Sequence, residues 1–394
     1  MRILQVNKYM KIVGGAETYM FNLASVLAKK GIEVEFWGME DDNNKVPDTH
    51  NCFARGIDFK TTKGLKSKVK ESTNVIYSKQ NKRRLSIILD EFKPDIVHIH
   101  NFNFQLTPSI LSEIKKRDIK IVYTIHDSQL ACPNHRLYIP HKNKVCTKCL
   151  HGKYYHASIN KCFDQSFSKS VIGMAESYLH HNILNSYNKY FDAIISPSNF
   201  FKNIIQPKLD KEITRLPYCV PKQDFKTITE RKDYVLYFGR VSKEKGLEKI
   251  VDLFNKMNYK LKVVGKGDLA IQPSDNIEVL GPKYGSELID LVANAKFTIH
   301  PSIWYDNFPM SVLESLMLGT PVIASNHSGF QEMANDVNGY LVDFKSDEIY
   351  DELKRIVLEN KYLDNEQIAI EAEKKYNEED HFVKISKIYN DLLC

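Results

Sequence analysis

A repeated alternation constrains this chain more than any other feature. Strand-length runs rich in Val and Ile, "ILQV", "EVEFWG", "DIVHIH", "KIVYTIH" and "DAIISPS", are separated by helical stretches such as "AETYMFNLASVLAKK". The style returns in "YVLYFG", "KLKVVG", "IEVLG", "FTIHPS", "PVIAS" and "GYLVD". Near-continuous apolar strands between helices bury both of their faces, which calls for parallel sheets. Two such sets predict an α/β chain of two doubly wound domains. Prolines break the pattern at "RLPYCVPKQDF", residues 215–225, and the boundary is placed there. The expected division is 1–215, 216–378 and a closing helix over 379–394. At 394 residues, each half is long enough for its own core.

Charge is unevenly spread. Residues 1–200 carry 29 Lys and Arg against 18 Asp and Glu, and the remainder carries 26 against 31. The richest basic stretch, "KTTKGLKSKVKESTNVIYSKQNKRR" over residues 60–84, reads either as a solvated surface loop or as a patch for anionic lipid headgroups. No helix-turn-helix, zinc-finger or aromatic RNA-binding signature accompanies it, so nucleic acid is not expected as a partner. The start "MRILQV" reads as a strand rather than a signal peptide, and no run of 18 apolar residues occurs. These features predict a cytoplasmic protein, peripheral at most on the inner membrane face.

Ligand sites in doubly wound sheets gather at the carboxyl ends of strands, and that rule selects the motifs that matter. After "ILQV", Gly14 and Gly15 precede a helix, a place where backbone can approach an anion. A Gly-Gly pair there is equally a plain turn, and it is not the G-x-G-x-x-G dinucleotide fingerprint. In "YFGRVSKEKGLEKI", Arg240 directly follows a strand and Lys245 precedes a helix. An Arg fork and a Lys point charge together suit a diphosphate, while two solvated cations are the bland alternative. "VVGKGDL" adds Gly265 and Gly267 at the next strand end. "IWYDNFPMSVLESLMLGTPVIAS" carries two carboxylates, Asp306 in a loop and Glu314 about one turn into the following helix. Such a pair can be an acid and a nucleophile, a clamp for hydroxyls, or, for the helical member, a complement to the macrodipole. The amides of Met310 and Ser311 at the helix start can bind phosphate or sugar oxygens.

His98 and His100 share one strand face, and a packed or cleft-edge histidine is the simpler reading of each than a metal ligand. Four of the seven cysteines cluster: Cys132, Cys146, Cys149 and Cys162. Four thiolates around a C-x2-C suit a structural zinc. Isolated buried thiols and a local redox pair are the alternatives. The stretch "SVIGMAESYLHHNILNSY" has helical apolar spacing and reads as core before membrane contact.

Taken together, "GGAE", "TIHD", "YFGRVSKEKG", "VVGKGD", "HPSIWYDNFPMSVLESLMLGTPVIAS" and "NGYLV" resemble, in order along the chain, the retaining glycosyltransferases of family 4. The resemblance implies the GT-B fold: two Rossmann-like domains facing across a cleft, with the last helix crossing back to the first. It implies a nucleotide-sugar donor on the C-terminal domain and a glycan or lipid-linked acceptor on the N-terminal domain, at an anionic membrane surface, in surface polysaccharide assembly. By position, Arg240 and Lys245 resemble the diphosphate ligands, Glu314 the ribose-binding carboxylate and Asp306 the carboxylate that holds donor-sugar hydroxyls. Gly15 would approach the donor phosphate, Gly265 would line the donor site, and His126 would stand beside the reacting sugar. Gly14 and His100 fall on the acceptor side. The pair is then a clamp, and the chemistry needs no metal. A similar cysteine insertion, here about 128–165, occurs in a subgroup of the family. Two departures stand out. Asp306 replaces the usual Glu, and Pro309, which has no N–H, sits where many members have Gly, so the donor relies on the Phe308 and Met310 amides. A GT-B epimerase, a glycan phosphorylase and a non-catalytic sugar-nucleotide-binding subunit are the rival classes.

Overall fold

The computed structural model describes residues 1–56, 73–221, 231–359 and 363–394. Its chain divides into two compact units. One is Met1–His141 with Cys146–Cys219 and Glu379–Cys394, and the other is Lys142–Val145 with Val220–Glu378.

Unit 1 is built on β1 (Arg2–Val6), α1 (Gly15–Lys29), β2 (Glu33–Trp37), β3 (Ile96–Ile99) and β4 (Lys120–Thr124). After these come α2 (Tyr155–Ile159), α3 (Phe167–Ser177), β5 (Ala193–Ser196) and β6 (Ile213–Arg215). The six strands form one sheet in the order β2-β1-β3-β4-β5-β6, every pair parallel. Ile3, Leu4 and Val6 of β1 and all of β3 are buried, as strands covered on both faces must be. The buried residues Tyr19, Met20, Leu23, Val26 and Leu27 of α1 recur at helical spacing and turn one stripe inward.

Unit 2 repeats the plan with β7 (Lys232–Phe238), α4 (Leu247–Met257), β8 (Leu261–Val264), β9 (Ile277–Gly281) and β10 (Ala295–His300). These are followed by α5 (Met310–Met317), β11 (Val322–Ser325) and β12 (Gly339–Val342). The order is β9-β8-β7-β10-β11-β12, again parallel. Its core joins Val235 and Tyr237 of β7 to Ile250 and Phe254 of α4 and to Ile299 and Ile323.

The last helix, α6 (Glu378–Leu393), presents His381, Ile385 and Tyr389 as its buried positions. Tyr389 bonds His98 Nδ1 at 2.7 Å, and His381 Nε2 lies 3.1 Å from the Tyr19 hydroxyl. These contacts tie the end of the chain to unit 1.

Much of the basic stretch expected over residues 60–84 falls on 57–72, outside the described residues. In the part that is described, Lys79 and Arg83 are exposed, while the other two basic residues have partners. Lys82 bonds Tyr77 and Ser112, and Arg84 bonds the Phe53 carbonyl and the Glu40 carboxylate. Among the described residues no helix is long and apolar enough to cross a membrane.

Candidate active site

Each sheet reverses its strand order once, between β1 and β3 in unit 1 and between β7 and β10 in unit 2. Chain leaving the carboxyl ends of such neighbouring strands turns in opposite directions and opens a crevice for ligands. The sequence-selected residues collect at these two points.

In unit 2, β7 exits through Gly239 into Arg240 and the turn Lys243–Lys245, which ends at Gly246 with φ +73°. A Cβ on Gly246 would stand 2.0 Å from the Pro301 carbonyl, so only glycine lets this turn lie against the exit of β10. Gly265, at the end of β8, meets the same limit. Its φ is +143° and a Cβ would lie 1.8 Å from the Gly239 carbonyl. These close approaches hold the loops after β7, β8 and β10 together.

There Lys245 Nζ reaches Asp306 Oδ1 at 2.6 Å. Arg240 lies 3.5 Å from Glu244, and both cations face the Trp304 ring, at 5.2 and 5.3 Å from its centre. Burial alone would raise the pKa of Asp306. The Lys245 charge and its hydrogen bond, with help from Ser302 and Trp304, more than reverse this and leave it below the ordinary value. Asp306 is therefore an ionised partner of Lys245. An ammonium has three donors, so Lys245 can hold Asp306 and still present N–H groups to an anion.

Helix α5 starts after Pro309. Val312 and Leu313 donate to the Pro309 carbonyl, which leaves the amides of Met310 and Ser311 outside the helix ladder. The Phe308 and Met310 side chains are buried, so their share of a site is backbone. The Ser311 hydroxyl is 3.2 Å from His300 Nδ1, and burial drops His300 to about 3, so that ring is neutral. His300 was not singled out by the sequence, although it ends a strand, which was the available signal. Glu314 lies in the second turn of α5, and burial pushes its pKa up to about 7.

In unit 1, His126 Nε2 is 2.7 Å from His100 Nδ1, and His126 Nδ1 is 2.5 Å from the Tyr218 hydroxyl. His100 Nε2 bonds Gln5 Oε1 at 2.7 Å. With the Gln5 oxygen accepting, His100 Nε2 carries the proton. Then His126 donates through Nε2 to His100 and accepts from Tyr218 at Nδ1. Burial lowers His126 to about 3 and His100 well below its usual range, so the chain is neutral throughout. Tyr218 stacks on Tyr19 at 4.4 Å. Sequence reasoning missed Tyr218, which stands ninety-two positions from its partner.

The helix start at Gly14 is partly filled by the protein itself. Glu17 accepts from the Gly14 amide at 2.9 Å and from Asn7 Nδ2 at 3.0 Å. The capping box engages Gly14 and leaves the amides of Gly15 and Ala16 for other uses. Asp127, quoted in "TIHD" but given no role, keeps 34 % side-chain exposure and accepts from the Gln129 amide at 2.8 Å. Burial pushes it up to about 6, against the lowering pull of that amide, Lys8 and Arg136.

The zinc expectation finds no support. Among the described residues no three His, Cys, Asp or Glu side chains are arranged to hold a metal ion. Cys132, Cys146, Cys149 and Cys162 are all free thiols. Burial raises the thiol pKa of Cys132 and of Cys149, and at Cys149 the nearby Cys132, Cys146 and Cys162 thiols add to the rise. Cys132 Sγ lies 3.0 Å from Asn134 Oδ1, and Cys149 packs with Tyr154 and Ala157.

Two parallel, doubly wound sheets, with paired cations and a helix start at one strand-order reversal, make up the architecture of this chain. The sequence profile described as Glycosyltransferase Family 4 matches residues 13–222, and that of Glycosyl transferases group 1 matches 221–375. The chain belongs to this family of GT-B glycosyltransferases. It is 23% identical over 354 residues to an uncharacterized glycosyltransferase of Methanocaldococcus jannaschii, covering 84% of this chain and 82% of the relative. It is 24% identical over 271 residues to the O-antigen chain mannosyltransferase B of Escherichia coli, covering 64% and 63%. Among solved structures it is similar to sucrose-phosphate synthase of Thermosynechococcus elongatus, with TM-score 0.71, 16% identity and coverage of 99% and 98%. It is also similar to Anabaena HepE in complex with UDP, with TM-score 0.62, 14% identity and coverage of 99% and 100%.

Proposed function

We propose that this glycosyltransferase moves one sugar, with retention, from a nucleoside-diphosphate sugar to a glycan or lipid-linked saccharide in surface polysaccharide assembly. The observation that carries the reading is the pairing of Arg240 and Lys245 over Trp304, beside the Asp306 loop that leads to the free amides of α5. A diphosphate is the ligand that such a fork, point charge and helix start neutralise together. HepE, crystallised with UDP, and the O-antigen mannosyltransferase are similar proteins whose ligand and product class agree with it.

In this mechanism unit 2 takes the donor and unit 1 the acceptor. Glu314 accepts from the ribose hydroxyls and Asp306 from the donor sugar. The bond from the anomeric carbon to the phosphate oxygen breaks. An acceptor oxygen forms the new bond on the same face, and its proton passes to the departing diphosphate. Arg240, Lys245 and the Met310 and Ser311 amides stabilise the charge that grows on that leaving group, which lets fixed cations do what a metal does elsewhere. On the family resemblance, His126 of unit 1, neutral through burial, is the catalytic histidine.

The test incubates the purified protein with a panel of nucleotide sugars and a bacterial lipid extract, and measures nucleoside diphosphate release. Release that requires acceptor, with an α-linked product from an α-linked donor, is expected. Conversion of the donor into its epimer without acceptor, or an inverted product, would overturn the reading.

A further inference from the structure

In unit 1 the exits of β1, β3 and β4 carry polar groups that the packing of the sheet does not use. Backbone bonds join these exits. The Lys8 amide donates to the Asn101 carbonyl at 2.6 Å, and the Ser128 amide to the His135 carbonyl at 3.3 Å. His135 Nδ1 stands 4.0 Å from Asp127 Oδ2, its ring stacks on Phe104 at 4.7 Å, and its Nε2 lies 3.5 Å from Asn103 Nδ2. Asp127 and His135 therefore share one fixed spot where the exits of β3 and β4 meet, with the exit of β1 alongside.

The same loops hold polar atoms that the protein leaves unsatisfied. Asn101 Oδ1, Asn103 Oδ1, Ser128 Oγ and Gln129 Nε2 are enclosed without a hydrogen-bond partner. Asn103, Ser128 and Gln129 are all buried residues. Buried polar groups are normally paired, so four orphans on two adjoining loops mark a place where water or the hydroxyls of a ligand complete the bonding.

Charge says what kind of ligand. Lys8 is half-buried, with its ammonium 5.1 Å from the centre of the Tyr9 ring, and Arg136 is exposed. Neither forms an ion pair among the described residues. Single unpaired cations on a surface are ordinary. These two act on the same spot. Burial drops His135 to about 3, and the Lys8 and Arg136 charges push the same way, so its ring is neutral. The same two charges oppose the burial that raises Asp127. Glu17, whose charge also reaches Asp127, is buried and engaged by the Gly14 amide and Asn7. The accessible charges are then two cations against one carboxylate. A neutral sugar gains little from that surplus, whereas a guanidinium fork and an ammonium together suit a phosphate or a carboxylate.

We propose that Lys8 and Arg136 hold an anionic group, a phosphate or a carboxylate, carried by the acceptor, while Asp127 accepts from a hydroxyl of the same saccharide. The inference rests on the sugar-transfer reading and narrows its acceptor to an anionic saccharide.

Binding is measured first, without a donor, by saturation-transfer NMR on the full-length Arg240→Ala protein, in which the guanidinium fork of unit 2 is absent. Methyl glucuronide and glucose 1-phosphate are the anionic probes and methyl glucoside the neutral one. At least one anion should bind more tightly than the neutral probe, and the one that does names the source of the charge. Adding Lys8→Ala/Arg136→Ala should weaken it about tenfold, the worth of one charge-assisted hydrogen bond. The melting transition should not move, and Arg136→Lys should keep part of the affinity. In the transfer assay, Lys8→Ala/Arg136→Ala in the otherwise wild-type protein should raise acceptor KM by a similar factor and leave donor KM unchanged. That difference should vanish on acceptor whose carboxylates have been reduced to alcohols, or on saccharide freed of its lipid diphosphate by mild acid. Anions that bind no better than the neutral probe, a rise in donor KM instead, or a difference that survives both treatments would overturn the proposal. Anion binding that depends on Lys8 and Arg136 in a protein that transfers no sugar would sink the transfer reading and with it the acceptor role of the site. Equal transfer to neutral and anionic acceptors would sink this inference alone.

Discussion

Glu314→Gln tests the donor site through two pH dependences of opposite sign. Burial lifts Glu314 from the ordinary 4.5 to about 7 in the folded protein. The folded state therefore holds this proton more tightly than the unfolded state does, and the difference costs stability once the group must ionise. Below pH 4.5 the group contributes no penalty. As pH rises from 4.5 through 7, stability falls, and above 7 the full cost is present. At roughly 1.4 kcal/mol per unit the cost is about 3 kcal/mol. Gln keeps the shape and removes the charge, so the variant should melt with the wild type near pH 4.5 and well above it at pH 8. For a unit of this size the gap is roughly 6–12 °C in the transition that reports unit 2. Scanning calorimetry at half-unit pH steps measures it. Donor binding should run the other way, because a carboxylate that accepts ribose hydroxyls is needed in its ionised form. Affinity for the cognate nucleoside diphosphate should weaken as pH drops below about 7 in the wild type. It should be weak and pH-independent in Glu314→Gln. A melting gap that stays constant from pH 5 to 8 would refute the burial argument, and full affinity in the variant would remove Glu314 from the donor site.

Other consequences follow from the same geometry. Lys245→Ala strands the Asp306 carboxylate, so it should cost about 3 kcal/mol in stability and at least a hundredfold in diphosphate release. Lys245→Ala/Asp306→Asn should recover most of the stability and none of the release, as a double-mutant melt and a turnover assay would show. His126, lowered to about 3, is neutral from pH 5 to 8, so His126→Asn should depress kcat without reshaping its pH profile. Tyr218→Phe should lower kcat less, with an unchanged donor KM. Burial lifts Asp127 to about 6, above its ordinary value, so Asp127→Asn should melt with the wild type near pH 3.5 and above it at pH 8, as melts at stepped pH would show. Gly265→Ala places a Cβ 1.8 Å from the Gly239 carbonyl, and it should lose soluble expression or drop the unit 2 melting transition sharply.

The sheets were legible because strands buried on both faces must be apolar along their whole length, which leaves a continuous signature. Within the two six-stranded sheets, the strand that escaped, β6, shows why. It has three residues at the sheet edge, and Thr214 and Arg215 give it no apolar run. The candidate site residues of unit 2 were legible for a related reason. Gly265 directly follows a strand, Arg240 comes one residue beyond the end of β7, and Asp306 lies in the loop after β10, and a doubly wound sheet turns such positions into places in a crevice.

What the sequence hides is pairing between groups far apart along it. Nothing local in "TIHD" shows that His126 is held by Tyr218, and nothing in "GGAE" shows that its glutamate folds back onto Gly14. The Lys245–Asp306 contact matters most in this respect. Read separately, one residue is a phosphate ligand and the other a sugar ligand. At 2.6 Å they form one unit, and the shorter Asp side chain reaches its place with Lys245 as its partner. On the proposed function, a donor diphosphate would share Lys245 with Asp306, which would couple the charge on the phosphate to the orientation of the Asp306 carboxylate. If the pair acts as a unit, Asp306→Glu, which restores the longer side chain, should alter diphosphate affinity as well as sugar preference. Competition of a nucleoside diphosphate against its sugar-bearing form measures both at once, and a change confined to sugar preference would show that the two residues work independently.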